Sequence, residues 1–298
     1  MSRAARLERG KGLTVLLFLA PWLVSLVVFW YGPIAATAVL SLSRYRLIGT
    51  PRLIGLANYA AIFQDTYFWV GLRTTFVFTA LYLPANFVLG LLTACLLNLD
   101  VRLKGLWRTI LYVPSVLPVI AVLVLGKFIF FPNGLMNSAL GLFGVKGPLW
   151  LANPRLIIPA SVMLMAWQCG TAMVVYLGAL QNVPVQYYEA AEMDGLSRPR
   201  QFFGITLPLI SPTIFFRVVI DLIFALMIFI PGLVLPEGGV PGGPADGSRF
   251  YALHLYEKAF KRFNIGEASA LATVLILISL ALTWMVIRAS ERYVHYEA

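Results

Sequence analysis

Hydrophobic positions in this chain come in long unbroken runs, not in the alternating or one-faced patterns of a water-soluble core. Runs at residues 13–40, 72–99, 109–131, 156–180, 213–235 and 268–288 each reach the ~20 residues that a helix needs to cross a hydrocarbon core of ~30 Å. The pattern predicts an all-α, polytopic membrane protein with six transmembrane helices. The first run is too long for a signal-peptide core of about 7 to 15 residues and reads as an uncleaved span. The predicted organisation is 1–71 as an N-terminal tail, first span and extracytoplasmic loop, 72–292 as a core transmembrane domain, and 293–298 as a tail.

One long polar interruption of the core is 184–212, which reads as a helix, a turn and a second helix. Pro184 suits a first helical turn, where its missing N–H is no loss, and Gly195 suits a helix end needing positive φ. Ser197 can cap the second helix, which is expected to stop before Pro208. Ala190 and Ala191 are small enough to let a neighbouring surface approach, and Glu189 and Glu192 share a face that a basic partner would relieve. A merely solvated acidic face fits that periodicity equally well.

Polar residues inside the spans are the other candidates for function. Pro84 and Asn86 fall mid-span, and a proline there bends the helix and frees a carbonyl. Lys127 can snorkel from a span end or face the solute path. Gln168 can bond to a neighbouring helix or line that path. Arg217 and Asp221, four apart, can pair structurally or touch a solute. Residues 236–247 are rich in Gly and Pro and read as a flexible loop.

Composition agrees, with 60% hydrophobic and 12% charged residues. The net charge of +10 is spread over short loops, so the partner it implies is a lipid bilayer, with no nucleic acid. Cys95 and Cys169 lie in apolar runs and match no metal or redox spacing. His254 and His295 fall outside the spans, which leaves no intramembrane catalytic or metal cluster. No GxxxxGK[ST] sequence occurs, so the chain has no recognisable ATP site and reads as non-catalytic. Lys and Arg are too evenly spread over the loops to set orientation, so Arg3, Arg6, Arg9 and Lys11 ahead of the first span place the N-terminus in the cytoplasm. Six spans put the C-terminus and the 184–212 loop on that same side.

The series Glu189-Ala190-Ala191, Asp194-Gly195, Phe202, Ile205 and Leu207-Pro208 resembles the "EAA" loop of permease subunits of binding-protein-dependent ABC importers. Leu196 departs from the alanine common there. Gly55-Leu-Ala-Asn58-Tyr59 with Phe63, Arg108 to Pro114, Gly134 to Asn137, Tyr256 to Phe260 and Gly266 to Ala270 resemble the carbohydrate-uptake branch. Pro236-Glu-Gly-Gly departs from its glycine-rich loop, and Ile230 stands where an acidic residue is common. The resemblance implies that residues 185–207 are a cytoplasmic coupling helix, with Tyr188, Glu189, Ala190, Ala191, Asp194, Gly195, Phe202 and Pro208 meeting a separate ATPase. It implies a second homologous permease subunit, an extracytoplasmic solute-binding protein, a prokaryotic plasma (inner) membrane, and ATP and magnesium used by the ATPase subunits, with no cofactor on this chain. Asn86, Gln168, Asp221 and Phe229 are the candidates for the path of a sugar or related polyol. The alternative from another class is a secondary transporter driven by an ion gradient, which would rely mainly on Asp221 and Lys127.

Overall fold

A computed structural model describes residues 14–15, 17–100 and 102–290. The basic N-terminal cluster, His295 and the 293–298 tail lie outside the described residues. Among the described residues five helices are long and apolar enough to cross a bilayer, Leu17–Ser41, Thr66–Asn98, Val119–Leu142, Ser211–Val234 and Ile265–Ser290, and the bent pair Ile157–Trp167 and Gly170–Gln181 meets the same test when taken as one span. They are called spans 1, 2, 3, 5, 6 and, for the bent pair, 4. Contacts divide the chain into two compact units, one of residues up to Gln64 with Glu257–Val274, the other of Asp65–Tyr256 with the chain from Leu275 on.

In the first unit, span 1 contains a π-helical stretch, Leu26–Tyr31. Phe18, Trp22, Phe29 and Trp30 along it are all exposed, a face suited to lipid. The polar segment after it forms a small antiparallel hairpin, Ser43–Arg44 with Arg52–Leu53, and then the helix Ala57–Gln64. Gly55-Leu-Ala-Asn58-Tyr59 acts here as a clasp. Gly55 takes φ +62°, the buried Asn58 amide donates to the carbonyls of Ser41 at 2.7 Å and Ser43 at 2.9 Å, and the Tyr59 and Ser41 hydroxyls are 2.8 Å apart. Gly266 donates its N–H to the Tyr45 carbonyl at 3.1 Å, and a Cβ there would collide with the Ser43 carbonyl oxygen.

In the second unit, three of the predicted spans are broken, each for a local reason. The run 109–131 was expected as one helix. It is instead Lys104–Val116 and, opening span 3, Val119–Phe130, with Leu117 extended at ψ 139°, because a residue before proline is driven from the α region and Pro118 follows. Span 4 bends by 48° between Trp167 and Gly170. The bend sets Gly170 against the helix Lys104–Val116 so closely that a Cβ would lie 2.8 Å from the Leu111 carbonyl and the Ser115 hydroxyl. Span 5 leaves helical geometry at Ile228 and restarts as Ile230–Val234, since Pro231 has no N–H for the carbonyl of Met227. Span 2 continues as one helix through Pro84.

The Gly/Pro loop, expected to be flexible, is tied down. Gly242 donates to the Gly232 carbonyl and accepts from Ser248, both at 2.8 Å. Arg249 Nε donates to Asp246 Oδ1 at 2.7 Å, with the guanidinium 4.3 Å above the Tyr67 ring. Glycines at 238, 239, 242 and 243 with positive φ make these crossings sterically open.

Candidate functional site

Of the coupling-loop candidates, Tyr188, Glu189, Ala190 and Ala191 lie on the first helix of the loop, Val185–Met193, and Asp194 and Gly195 just past its end. Pro184 is its N-cap, at ψ 133°, one residue outside the turn expected from the sequence. At the other end Gly195 adopts φ +72°, and the Leu196 N–H returns to the Ala191 carbonyl at 2.9 Å, a Schellman closure. Ser197 takes the N-cap position of the second helix without a side-chain cap bond, and its carbonyl accepts from Gln201 N–H at 3.0 Å.

That second helix does not stop before Pro208. It runs as Arg198–Gln201, a π-turn Phe202–Thr206 and Leu207–Leu209. In a regular α-helix position 208 would donate to Gly204, which proline cannot do. The widened turn sets the Leu207 N–H on the Phe202 carbonyl, five residues back instead of four, and lets the chain pass the proline unbroken.

The two faces of the first helix differ in kind. Tyr188 and Ala191 turn inward: Ala191 is buried, and the Tyr188 hydroxyl is hydrogen bonded to that of Thr206 at 2.8 Å. Gln201 Nε2 adds a bond to the Leu196 carbonyl at 3.0 Å, bracing one helix on the other. Glu189, Ala190, Glu192, Asp194 and Gly195 are exposed, with Met193 89% exposed among them. The two alanines therefore divide, Ala190 free to meet a partner and Ala191 spent on internal packing. Phe202, half-buried, stands edge-on to Phe203 at 5.2 Å, and Pro208 is half-buried.

Asn86, Gln168 and Asp221 meet where the broken spans converge. Arg217 holds Asp221 through two bonds, Nε to Oδ2 at 3.0 Å and Nη2 to Oδ1 at 2.7 Å. Asn86 Nδ2, from span 2, donates to the same Oδ2 at 2.8 Å. Asp221 lies about 15 Å along span 5 from Ser211, at ~1.5 Å per residue, which puts it mid-span. Gln168 Nε2 donates to the carbonyls of Pro114 at 3.0 Å and Leu117 at 3.1 Å, at the break before Pro118, where the Pro114 carbonyl keeps only a long 3.4 Å bond from the Leu117 N–H.

Gln168, Arg217 and Asp221 face a cavity of about 220 Å³ that Tyr82, Ser115, Thr171 and Phe224 also line. Asn86 is buried behind Asp221 and orients it. Phe229 lies elsewhere, stacked on Tyr256 at 5.4 Å, because the chain turns at φ −143° there. Ser115 had a signal in the sequence, since it lies between two prolines. Tyr82 and Phe224 had none, because only the packing of spans 2 and 5 brings them to one wall.

Comparison with known proteins follows this geometry. The family described as the binding-protein-dependent transport system inner membrane component matches residues 86–292, which include the polar loop at 184–212 and every cavity residue named above except Tyr82. The chain belongs to that family. The permease is 34% identical to the probable ABC transporter permease protein YesP of Bacillus subtilis, over 99% of this chain and 96% of that one. It is 31% identical to the sulfoquinovosyl glycerol transport system permease protein SmoG of Agrobacterium fabrum, over 95% and 92%. It is 30% identical to the sn-glycerol-3-phosphate transport system permease protein UgpA of Yersinia pestis, over 94% and 95%. A chain of a bacterial alginate ABC transporter, solved in complex with an alginate pentasaccharide-bound periplasmic protein, has the same fold, with a TM-score of 0.83 over 98% of both chains at 22% identity. The expected all-α, multi-pass permease fold and the ABC importer family are thus both established, and a binding protein and an ATPase are partners of the family in general.

Proposed function

We propose that this permease forms half of the translocation pathway of an ATP-driven importer for a sugar or related polyol, and that residues 185–207 couple it to a separate ATPase. The observation that carries the substrate class is the mid-span cavity. Gln168, Ser115, Thr171 and Arg217 offer hydrogen bonds there, and Tyr82 and Phe224 offer ring faces, the combination that fits a hydroxylated ring with one polar edge and one apolar face. Relatives named for sulfoquinovosyl glycerol, lactose and sn-glycerol-3-phosphate transport support the same class. At about 220 Å³ the cavity is smaller than the ~300 to 1,000 Å³ of complete small-molecule sites, which supports a second homologous permease subunit supplying the facing wall.

Coupling is carried by the exposed acidic face of Glu189, Glu192 and Asp194, braced from behind through Tyr188 and Thr206. A basic cleft on the ATPase would hold this face, and nucleotide-driven closure would move the spans between inward-open and outward-open states by stabilising one of them. ATP and magnesium stay with the ATPase subunits, an extracytoplasmic binding protein delivers the solute, and the loop and both termini lie in the cytoplasm. The test is reconstitution of the four components in liposomes with labelled sugar. Glu189→Lys and Gly195→Pro are expected to abolish uptake while ATP hydrolysis and membrane insertion persist. Solute accumulation by this chain alone, without ATP, would overturn the proposal.

A further inference from the structure

We propose that a crevice at the end of span 2 remote from the coupling loop holds an anionic phospholipid, its phosphate between Arg73 and Arg155 and an acyl chain along Val77, Leu81 and Ile158. The crevice encloses about 430 Å³ between span 2, the start of span 4 and the turn Pro244–Asp246. Its charged lining is Arg73, Arg155 and Asp246. The Asp246 carboxylate is engaged by Arg249 at 2.7 Å. Among the described residues neither Arg73 nor Arg155 has a carboxylate within ion-pair distance. Two uncompensated guanidinium groups on one crevice repel each other and attract an anion, which phosphate oxygens satisfy with forked hydrogen bonds.

Depth decides which anion. Span 2 has 33 residues and is about 50 Å long, some 20 Å more than a hydrocarbon core of ~30 Å. With the span centred on the bilayer, the first ~10 Å at each end lie among headgroups, and Arg73, two turns in from Thr66, falls at the headgroup boundary. Val77 and Leu81 follow on the same face, one and two turns deeper, and both are exposed. A cationic rim above an apolar wall fits a molecule with a phosphate head and a hydrocarbon tail. A free phosphate would leave the wall unfilled, and a saccharide would find no aromatic face there. The leaflet is the outer one in the orientation proposed above and rests on it; the site itself does not.

The test is native mass spectrometry of the purified full-length chain with phosphatidylglycerol and phosphatidylcholine of matched acyl chains. Phosphatidylglycerol is expected to be retained where phosphatidylcholine is stripped. Its affinity should fall roughly fivefold for Arg73→Gln or Arg155→Gln and about 30-fold for both, the scale of one and two basic side chains at a membrane surface. Lys104→Gln, beyond the opposite end of span 2, should leave it unchanged, and the double lysine replacement should keep most of it. A photoactivatable acyl chain should label wild-type protein at Leu81, a readout that stands even if a variant fails to insert. Equal retention of both lipids, no loss in the double glutamine variant, or displacement of the lipid by inorganic phosphate alone would overturn the proposal. So would a crosslink from position 81 that captures the second permease subunit in the assembled transporter, because the crevice would then be a subunit interface.

Discussion

Replacing Asp221 with leucine tests whether the mid-span polar cluster is a unit. In the native arrangement two bonds from Arg217 and one from Asn86 converge on the carboxylate, and both ionic side chains are largely buried, 14% and 6% exposed. Asp221→Leu leaves a guanidinium without its counter-charge and a buried amide without its acceptor. Breaking one side of a buried pair costs about 3 to 5 kcal/mol, and an orphaned amide about 1 to 3 more, although a crevice that admits water near Arg217 reduces the first figure. Replacing both partners, Arg217→Met with Asp221→Leu, removes the uncompensated charge, and the double variant is expected within about 1 kcal/mol of the parent apart from the Asn86 loss. Equilibrium unfolding of the purified chain in mixed micelles, run as a double-mutant cycle, measures the difference. The double variant should insert and unfold much like the parent yet fail in ATP-driven sugar uptake, since a cavity donor is gone. If Asp221→Leu alone is as stable as the parent, or if the two replacements simply add, the cluster is not the coupled unit described here.

Other perturbations read other parts of the fold. Gly170→Ala places a methyl 2.8 Å from the Leu111 carbonyl and should lower stability by about 1 to 3 kcal/mol, visible as a lower thermal unfolding temperature; an unchanged temperature would mean that the bend in span 4 yields easily. Gly195→Ala forces a Cβ into φ +72° at a cost of about 1 to 2 kcal/mol, and should weaken capture of the ATPase subunits several-fold with insertion intact; undiminished capture would argue against a fixed turn. Asn58→Leu removes two hydrogen bonds to buried carbonyls and should cost about 1 to 3 kcal/mol, detected as faster proteolysis within residues 41–64, while native proteolysis rates would show that the clasp is dispensable.

The sequence by itself determined the class of fold and the position of the polar loop at 184–212. Runs of apolar residues long enough to cross a bilayer leave the backbone no choice but helix, and Glu189 to Pro208 carries turn chemistry that the structure reproduces at Gly195. Tertiary structure alone decided whether each proline left a continuous helix or a gap, and what those gaps face. Pro118 and Pro231 could each have been passed within a continuous span, as Pro84 is, or have left a true gap; neighbouring helices set the outcome by supplying partners such as the Gln168 amide for freed carbonyls. The same limit holds for side chains. Periodicity put Ala190 and Ala191 side by side as docking residues, whereas packing of the second loop helix claimed Ala191 and Tyr188 for the interior. Phe229 and Asp221 lie eight positions apart in one predicted span, and an extended residue between them sends one to a stack on Tyr256 and leaves the other at the mid-span cavity. Hydrophobic length is a property of each segment taken singly, so it is written locally; a polar cavity exists only between segments, and its walls are chosen by long-range packing.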